Sequence, residues 1–315
     1  MINADKPTQW KTDIAASVDH YNAWFMKFAP RTYREKRVEV TGKVEDALLK
    51  SKDLTDISIA ALRGYPGMLP TLRMCCCPPL ARERLSGLAE VKKTLIEKLE
   101  EGSLPPRTKD AALESSLGQV VRVLSELLDA ELFPWLGRGT RPSQEERHRA
   151  STIIADRLCG SMSDPILRNA QEKRQLDLIG AYLRNQGYNQ QPHPSNKSLT
   201  EMEGGTFAFR MNVIVGDAKK VKIPIDVVVQ PKMPRPSRLP ILIEAKSAGD
   251  FTNVNKRRKE EAKKMAQLKA QFGNQVEFVL FLCGYFNAGY LGYEAADGMD
   301  WIWEHRIEDM EKLGL

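Results

Sequence analysis

The chain has 315 residues, enough for two compact units or for one core with a large extension. Hydrophobic residues make up 42% and charged residues 28% of the chain, a composition that excludes a mainly disordered protein. Lys and Arg number 47 against 41 Asp and Glu, and the net charge of +6 favours a polyanionic partner, with nucleic acid as the first candidate.

Residues 1–160 are predicted to form a mainly α-helical domain that serves DNA contact, dimerisation or both. Amphipathic stretches with apolar residues at steps of three and four are separated by segments rich in Gly and Pro. The predicted helices are 12–28, 44–50, 85–100, 113–132 and 143–159. A glycine, Gly160, is expected to close the last of them.

Residues 161–315 are predicted to form an α/β domain. Asp164 and Pro165 are suited to the N-cap and first position of a helix that reaches Asn185. Runs of β-forming residues and one long charged helix follow. The predicted strands are 206–215, 221–230, 239–245 and 276–283, and the helix is 255–272. Hairpin-connected strands followed by a helical crossover predict a mixed β-sheet flanked by helices.

Cysteine and histidine usage argues against structural metal sites and disulfides. Cys75, Cys76 and Cys77 are consecutive in a set of five, a spacing that suits neither a disulfide framework nor tetrahedral zinc. The histidines are dispersed, which argues against a zinc or histidine-metal nuclease. Residues 1–7 lack an apolar signal core, and no segment approaches the roughly 18 apolar residues of a membrane span. We therefore expect reduced thiols and a cytoplasmic protein.

Ionisable residues interrupt two of the apolar strands. Asp226 stands in the apolar run 223–229, and Glu244 and Lys246 stand two residues apart in the next strand. Because side chains alternate along a strand, Glu244 and Lys246 should project from the same face. If the two strands are neighbours, the three side chains share one patch. Uncompensated charge is costly in a dry interior, so such a patch needs partners or a metal.

The types of these residues suit Mg²⁺-dependent phosphodiester hydrolysis. Mg²⁺ prefers carboxylate, carbonyl and water oxygens, and Asp226, Glu244 and the backbone carbonyl of Ala245 supply such a set. Lys246 could stabilise the negative charge of the transition state, or position or deprotonate the attacking water if neighbouring charges lower its pKa. The alternative is a structural ion pair between two strands, but the strand context favours a catalytic site.

The segments Pro224-Ile225-Asp226 and Glu244-Ala245-Lys246 resemble the motif of the PD-(D/E)xK nuclease superfamily, with one inserted residue after the proline. Residues 164–172 and 243–253 are similar to the SalI/XamI group of type II restriction endonucleases, and the resemblance extends over essentially the whole chain. It implies a PD-(D/E)xK nuclease core, Mg²⁺ as cofactor and a bacterial homodimer that cuts both strands of a palindromic site similar to GTCGAC. It also implies a cognate DNA methyltransferase that acts on the same site.

Two further sets of residues are candidates near this motif. Glu172 lies on the helix before the sheet, where several members of the superfamily carry an extra acidic residue facing the metal. The alternative interpretation is that Glu172 is a solvent-exposed residue of a charged helix. Lys256, Arg257 and Arg258 open the helix after the motif and could contact DNA phosphates, or form a solvated helix face.

The residues that read the bases are not assigned by the sequence, because reading G·C pairs needs Arg, Lys, Asn or Gln side chains in loops of many possible shapes. Candidates are Lys232, Arg235 and Arg238 in a proline-rich connection, and the segments 138–141 and 107–109. Two other functions remain open: a repair or junction-resolving PD-(D/E)xK nuclease, and a non-catalytic basic DNA-binding protein.

Overall fold

The structure is a computed structural model that describes residues 1–106, 109–192, 198–216, 220–233, 239–252 and 254–315, without the side chains of 254–257. Internal contacts divide the chain into two compact units. We call Met1–Phe28 with Arg168–Leu315 the sheet unit and Ala29–Leu167 the helical unit. No helix in the described part of the chain is long and apolar enough to cross a membrane.

Helices dominate the first half of the chain, and strands join them in the second half. In chain order the elements are α1 (Pro7–Lys50), α2 (Ile59–Gly64), α3 (Leu69–Met74), α4 (Arg82–Leu88), α5 (Lys93–Glu100), α6 (Asp110–Glu126), α7 (Pro134–Arg138), α8 (Gln144–Asn185), β1 (Asn189–Gln190), β2 (Thr206–Val215), β3 (Val221–Gln230), β4 (Ile241–Ala248), α9 (Val254–Phe272), β5 (Glu277–Gly284), α10 (Ala288–Ala296) and β6 (Asp300–Trp303). The division between the two units falls inside α1 and inside α8.

The sheet unit is built on one mixed sheet, in which the described strands follow the order β1-β2-β3-β4-β5-β6. Strands β2, β3 and β4 pair antiparallel, because short connections join them. The crossovers through α9 and α10 make β4, β5 and β6 parallel. The predicted fold class, a mixed sheet flanked by helices with a mainly helical N-terminal region, is confirmed.

Each face of the sheet is covered by helices, because the central strands are apolar on both sides. Alternate residues of β3 and β4, among them Val228 and Leu242, pack in a cluster with Met265 and Leu268 of α9. The residues between them pack in a second cluster with apolar side chains of α8, including Ile179. Glu244 and Lys246 have the same parity as Leu242 and so face α9.

The N-terminal segment belongs to the sheet unit, whereas the sequence assigned residues 1–160 to the helical domain. The backbone N–H groups of Ile2, Asn3 and Ala4 all donate to the carboxylate of Asp300 at the start of β6. Arg306 then pairs with Asp13, with Nη1 2.6 Å from Oδ1. These are contacts between residues some 300 positions apart, and no local pattern reveals them.

The helical unit has its own core, formed by buried side chains of α1 to α8. The sequence predicted one helix over 85–100, but the structure has α4 and α5, separated where Glu90 adopts a left-handed φ of 53°. Leu85, Leu95 and Leu99 are buried, whereas Leu88 is exposed. All five cysteines are free thiols.

The sequence predicted that one helix ends at residue 28 and another at residue 159. In the structure α1 and α8 continue past these positions and through Pro30 and Pro165. In α8 the hydroxyl of Ser163 donates to the carbonyl of Gly160, one turn before Pro165. Apolar residues are buried on both sides of this turn, so packing outweighs the backbone hydrogen bond that the proline cannot make. The prediction that Gly160 ends a helix was therefore wrong.

Candidate active site

The end of the β3–β4 ladder brings the predicted carboxylates together. Val227 opposite Ile243 is the last pair of the antiparallel ladder at this end. Asp226 and Glu244 follow directly on the two strands, and the backbone N–H of Ala245 donates to Asp226 Oδ2 at 2.8 Å. Burial, and next the charge of Glu244, raise the pKa of Asp226 to about 6. The two acidic groups are thus close enough for their charges to interact.

Lys246 lies between two carboxylates. Its Nζ is 2.8 Å from Glu244 Oε1 and 3.9 Å from Glu261 Oε1. Burial alone would lower the pKa of Lys246, but the neighbouring carboxylates outweigh it, and the pKa is raised. Among the roles considered for this lysine, stabilising negative charge as an ammonium is therefore favoured over deprotonating water.

A second lysine contacts the same carboxylate, and the sequence analysis missed it. Lys264 of α9 has its Nζ 2.6 Å from Glu244 Oε1 and donates to the carbonyl of Pro224 at 3.0 Å. Glu244 Oε2 is buried and has no hydrogen-bond partner among the described residues. One signal in the sequence could have predicted this position. Met265 and Leu268 lie beside Lys264 at helical spacing, and this side of the charged helix is buried.

Behind Lys246, two more acidic side chains are enclosed between α9 and α10. Glu261 is 1% exposed and Glu294 is 0% exposed. The hydroxyl of Tyr290 donates to Glu261 Oε2 at 2.7 Å. Burial, and next the charge of Glu261, raise the pKa of Glu294 to about 9, so that Glu294 carries a proton at neutral pH. These residues form a buried acidic cluster beside the candidate site.

Glu172 lies in the same cleft as the motif residues, a cavity of about 290 Å³. Residues of α8 that line it are Arg168, Gln171, Glu172 and Gln175. Glu172 Oε1 accepts a hydrogen bond at 2.9 Å from Arg210 Nη2 of β2. Arg210 has a left-handed φ of 50° in the interior of a strand. Glu172 is therefore near the site and paired, and its role in metal binding stays a prediction.

Gln175 connects the helix to the strands that carry the site. Its Nε2 donates to the backbone carbonyls of Lys246 and Phe281, both at 3.3 Å. Gln171, one turn earlier on α8, donates to the hydroxyl of Tyr21 at 2.6 Å. The amide of Gln175 thus joins α8 to β4 and β5, and the amide of Gln171 joins it to α1.

The predicted DNA-contact residues at the start of α9 are only partly described. The side chains of Lys256 and Arg257 lie outside the described residues. The guanidinium of Arg258 lies 3.9 Å from the ring centroid of Tyr293, a cation–π contact. Phosphate contact by all three stays a prediction.

Three candidates for base recognition also lie outside the described part of the chain, namely Arg107, Arg235 and Arg238. Lys232 donates to the carbonyl of Gln186. Arg138 pairs with Glu146, with Nη2 2.7 Å from Oε1. The base-reading residues remain unassigned.

A second group of polar side chains surrounds Arg174 of α8. Ligand atoms of His20, Cys283 and Glu304 lie within 4.8 Å of one another. Arg174 Nη2 is 2.8 Å from Glu304 Oε1 and 3.3 Å from Cys283 Sγ. Burial opposes ionisation of Glu304, but His20 and Arg174 outweigh it and hold its pKa below the usual range. A cation of the protein thus already neutralises this carboxylate.

Known proteins resemble the chain over most or all of its length. The sequence model of the XamI restriction endonuclease family matches residues 52–303. The chain is 51% identical over 314 residues to the type II restriction enzyme SalI of Streptomyces albus G, covering 100% of both chains. It is 25% identical over 268 residues to the type II restriction enzyme XamI of Xanthomonas campestris pv. amaranthicola, covering 82% of this chain and 84% of that enzyme. No solved structure matches the chain significantly.

Proposed function

The chain belongs to the XamI family of restriction endonucleases and is a type II restriction endonuclease, and we propose that it hydrolyses both strands of a palindromic DNA site in a Mg²⁺-dependent reaction. The observation that carries this proposal is the meeting of Asp226, Glu244 and Lys246 in one cleft of a family member. Glu244 Oε2 is buried and has no hydrogen-bond partner among the described residues, so it is available to a cation beside the ion pair with Lys246.

The donor atoms fit a hard divalent cation. Asp226 and Glu244 offer carboxylate oxygens, and the backbone carbonyl of Ala245 is a third candidate ligand on the same cleft. Glu172, on α8, could contribute through a water or position one. Restriction endonucleases of this kind typically need a divalent metal, and the all-oxygen set favours Mg²⁺ over zinc. When bound here, Mg²⁺ would act as a Lewis acid on the scissile phosphate.

The protein groups have separable tasks in this reaction. Lys246, held as an ammonium between Glu244 and Glu261, supplies positive charge where the phosphate becomes more negative in the transition state. Asp226 lines the cleft, and the N–H of Ala245 orients its carboxylate through Oδ2. Gln175 fixes the backbone of Lys246 through its carbonyl.

We infer that two copies of the chain act together, because a palindromic site presents the same sequence to both halves of a two-fold symmetric dimer. The 51% identity to SalI supports GTCGAC as the site. The helical unit is proposed to serve DNA contact or dimerisation, and Lys256, Arg257 and Arg258 to contact phosphates. A methyltransferase of the same specificity would protect host DNA in the bacterial cytoplasm, where the enzyme would work.

The test is digestion of a plasmid with a single GTCGAC sequence, with and without Mg²⁺. We expect the wild type to give one linear product only with Mg²⁺, and Lys246→Ala and Glu244→Gln to reduce the rate by at least about a hundredfold. Lys263→Ala, an exposed position of α9, is the matched control and should cleave as the wild type does.

The other outcomes identify the competing functions. Linear product at a different sequence would reject GTCGAC and keep the restriction activity. Cleavage confined to branched or damaged DNA would favour a repair nuclease. DNA binding without Mg²⁺-dependent cleavage, unchanged by Lys246→Ala, would favour a non-catalytic DNA-binding protein.

A further inference from the structure

The ammonium groups of two lysines contact a single carboxylate oxygen of Glu244. Lys246 Nζ is 2.8 Å and Lys264 Nζ is 2.6 Å from Glu244 Oε1. The carboxylate is almost fully buried, at 3% exposure, and its other oxygen has no hydrogen-bond partner among the described residues. Two positive charges therefore converge on the group that is also proposed to hold the metal.

The two lysines are not equivalent. Lys246 also faces Glu261 at 3.9 Å, whereas the charge of Asp226 acts on both lysines. Among the described residues, the carboxylate with which Lys264 pairs is that of Glu244. Lys264 also contacts the neutral carbonyl of Pro224 at 3.0 Å. Glu244 is thus the carboxylate that Lys264 contacts directly among the described residues, and the charge of Asp226 adds to it.

A divalent cation and the Lys264 ammonium would therefore compete for the same carboxylate. Two like charges a few ångströms apart repel each other, and the repulsion is stronger at a partly buried site than in bulk water. Lys264 has only 21% of its side chain exposed, so solvent screens this repulsion incompletely.

We propose that Lys264 is a resident counter-cation of Glu244 that weakens the binding of a divalent metal to the active site. Lys264 stabilises the buried carboxylate, and a metal ion must bind against its charge. The inference rests on the proposed metal role of Asp226 and Glu244, and it assigns to α9 a function in setting metal affinity.

The experiment measures Mn²⁺ binding to the full-length protein without DNA, from the electron paramagnetic resonance signal of the free ion. Mn²⁺ is the probe because it accepts the same oxygen ligands as Mg²⁺. We expect Lys264→Met to bind Mn²⁺ about tenfold more tightly than the wild type. Lys264→Arg, which keeps the charge, should stay within about twofold of the wild type.

Lys263→Met is the matched control, because it removes one positive charge from the neighbouring exposed position of α9. It should also stay within about twofold of the wild-type affinity. Circular dichroism establishes that each variant is folded. Lys264→Gln, which can keep a hydrogen bond to the carbonyl of Pro224, replaces Lys264→Met if that variant does not fold.

Folded Lys264→Met and Lys264→Gln proteins that bind Mn²⁺ no more tightly than the wild type would overturn the inference while leaving the metal site intact. Equal tightening by Lys263→Met would also overturn it, because the effect would then come from overall charge. If Asp226→Ala binds Mn²⁺ as the wild type does, the proposed metal site itself fails, and the inference fails with it.

Discussion

The protonation of Asp226 connects the chemistry of the site to pH. Its pKa is raised to about 6 by burial and by the charge of Glu244. Below this pH the carboxyl group holds a proton that the proposed metal would have to displace, and above it the carboxylate would be free to bind that metal. Because ionisation is lost as the pH falls, metal binding and cleavage should be lost in the same direction.

We therefore expect the single-turnover cleavage rate at subsaturating Mg²⁺ to fall by about tenfold for each pH unit below about 6. A higher Mg²⁺ concentration should restore part of the rate, because the metal and the proton compete. Measurements between about pH 5 and about pH 8 at two Mg²⁺ concentrations test this. A rate that declines identically at both concentrations would show that another group limits the reaction.

Glu294 gives a second prediction, which concerns the dependence of stability on pH. Burial, and next Glu261, raise the pKa of Glu294 to about 9, above the value of about 4.3 expected in the unfolded chain. The folded state thus binds a proton that the unfolded state has released between these pH values, so this group lowers stability as the pH rises through that range.

Glu294→Gln imitates the protonated side chain and removes this pH dependence. We expect the melting temperature of the variant, relative to the wild type, to rise from about pH 5 to about pH 8. Thermal unfolding at the two pH values measures the difference. Glu277→Gln, at the partly exposed start of β5, is a comparison variant that should show a smaller change. If the melting-temperature difference between Glu294→Gln and the wild type is the same at both pH values, the carboxyl group of Glu294 is ionised in the folded wild type.

At the scale of elements, β2 contains a backbone position that is unusual for its side chain. Arg210 has a left-handed φ of 50°, although its neighbours Phe209 and Met211 pair regularly with β3. This conformation costs about 1–2 kcal/mol for a residue with a Cβ atom. The ion pair of Arg210 with Glu172 is largely exposed and contributes about 0–1 kcal/mol.

We expect Arg210→Val to be less stable than Arg210→Gly by about 1–2 kcal/mol, because a β-branched side chain suits this backbone least. Urea unfolding of the full chain measures the difference. Ile214→Val, at an exposed position of the same strand with ordinary backbone geometry, should change stability by less than about 0.5 kcal/mol. Equal stability of the two Arg210 variants would show that the strand relaxes at this position.

The sequence predicted the central elements well and the long helices poorly. Periodicity located β2, β3, β4, α9 and β5 within a few residues, because burial on both faces leaves continuous apolar runs. It divided α1 and α8 at breakers, because a local rule for proline does not include the packing on either side. The motif carboxylates were identified by their position inside apolar strands.

Lys264, Glu261 and Glu294 show why the surroundings of the candidate site could not be predicted from the sequence. Each is an ordinary charged residue of a helix surface when the sequence is considered locally. Their burial follows from the crossover that lays α9 and α10 over β4 and β5, which is a property of the tertiary fold. A carboxylate within an apolar strand is anomalous by itself, whereas a charge on an amphipathic helix is not.

At the scale of the whole molecule, the sheet unit is assembled from two distant parts of the chain. Ile2 and Tyr21 are buried within it, and Asp300 and Arg306 each have partners among the first 13 residues. A boundary at residue 160 therefore separates residues that form one core. In contrast, Ala29–Leu167 is continuous in sequence and has a hydrophobic core of its own.

We expect residues 29–167 expressed alone to unfold cooperatively and residues 168–315 alone to fail to do so. Residues 168–315 alone would expose the apolar surface that residues 1–28 cover in the full chain. They would also leave the buried carboxylate of Asp309 without its Asn3 partner. A chain in which residues 1–28 are joined to residues 168–315 by a long flexible linker should regain cooperative unfolding. Thermal melts followed by near-ultraviolet circular dichroism of Trp301 and Trp303 report the packing of this core. Cooperative unfolding of residues 168–315 without the N-terminal segment would contradict the division and would make that segment an accessory to an already complete fold.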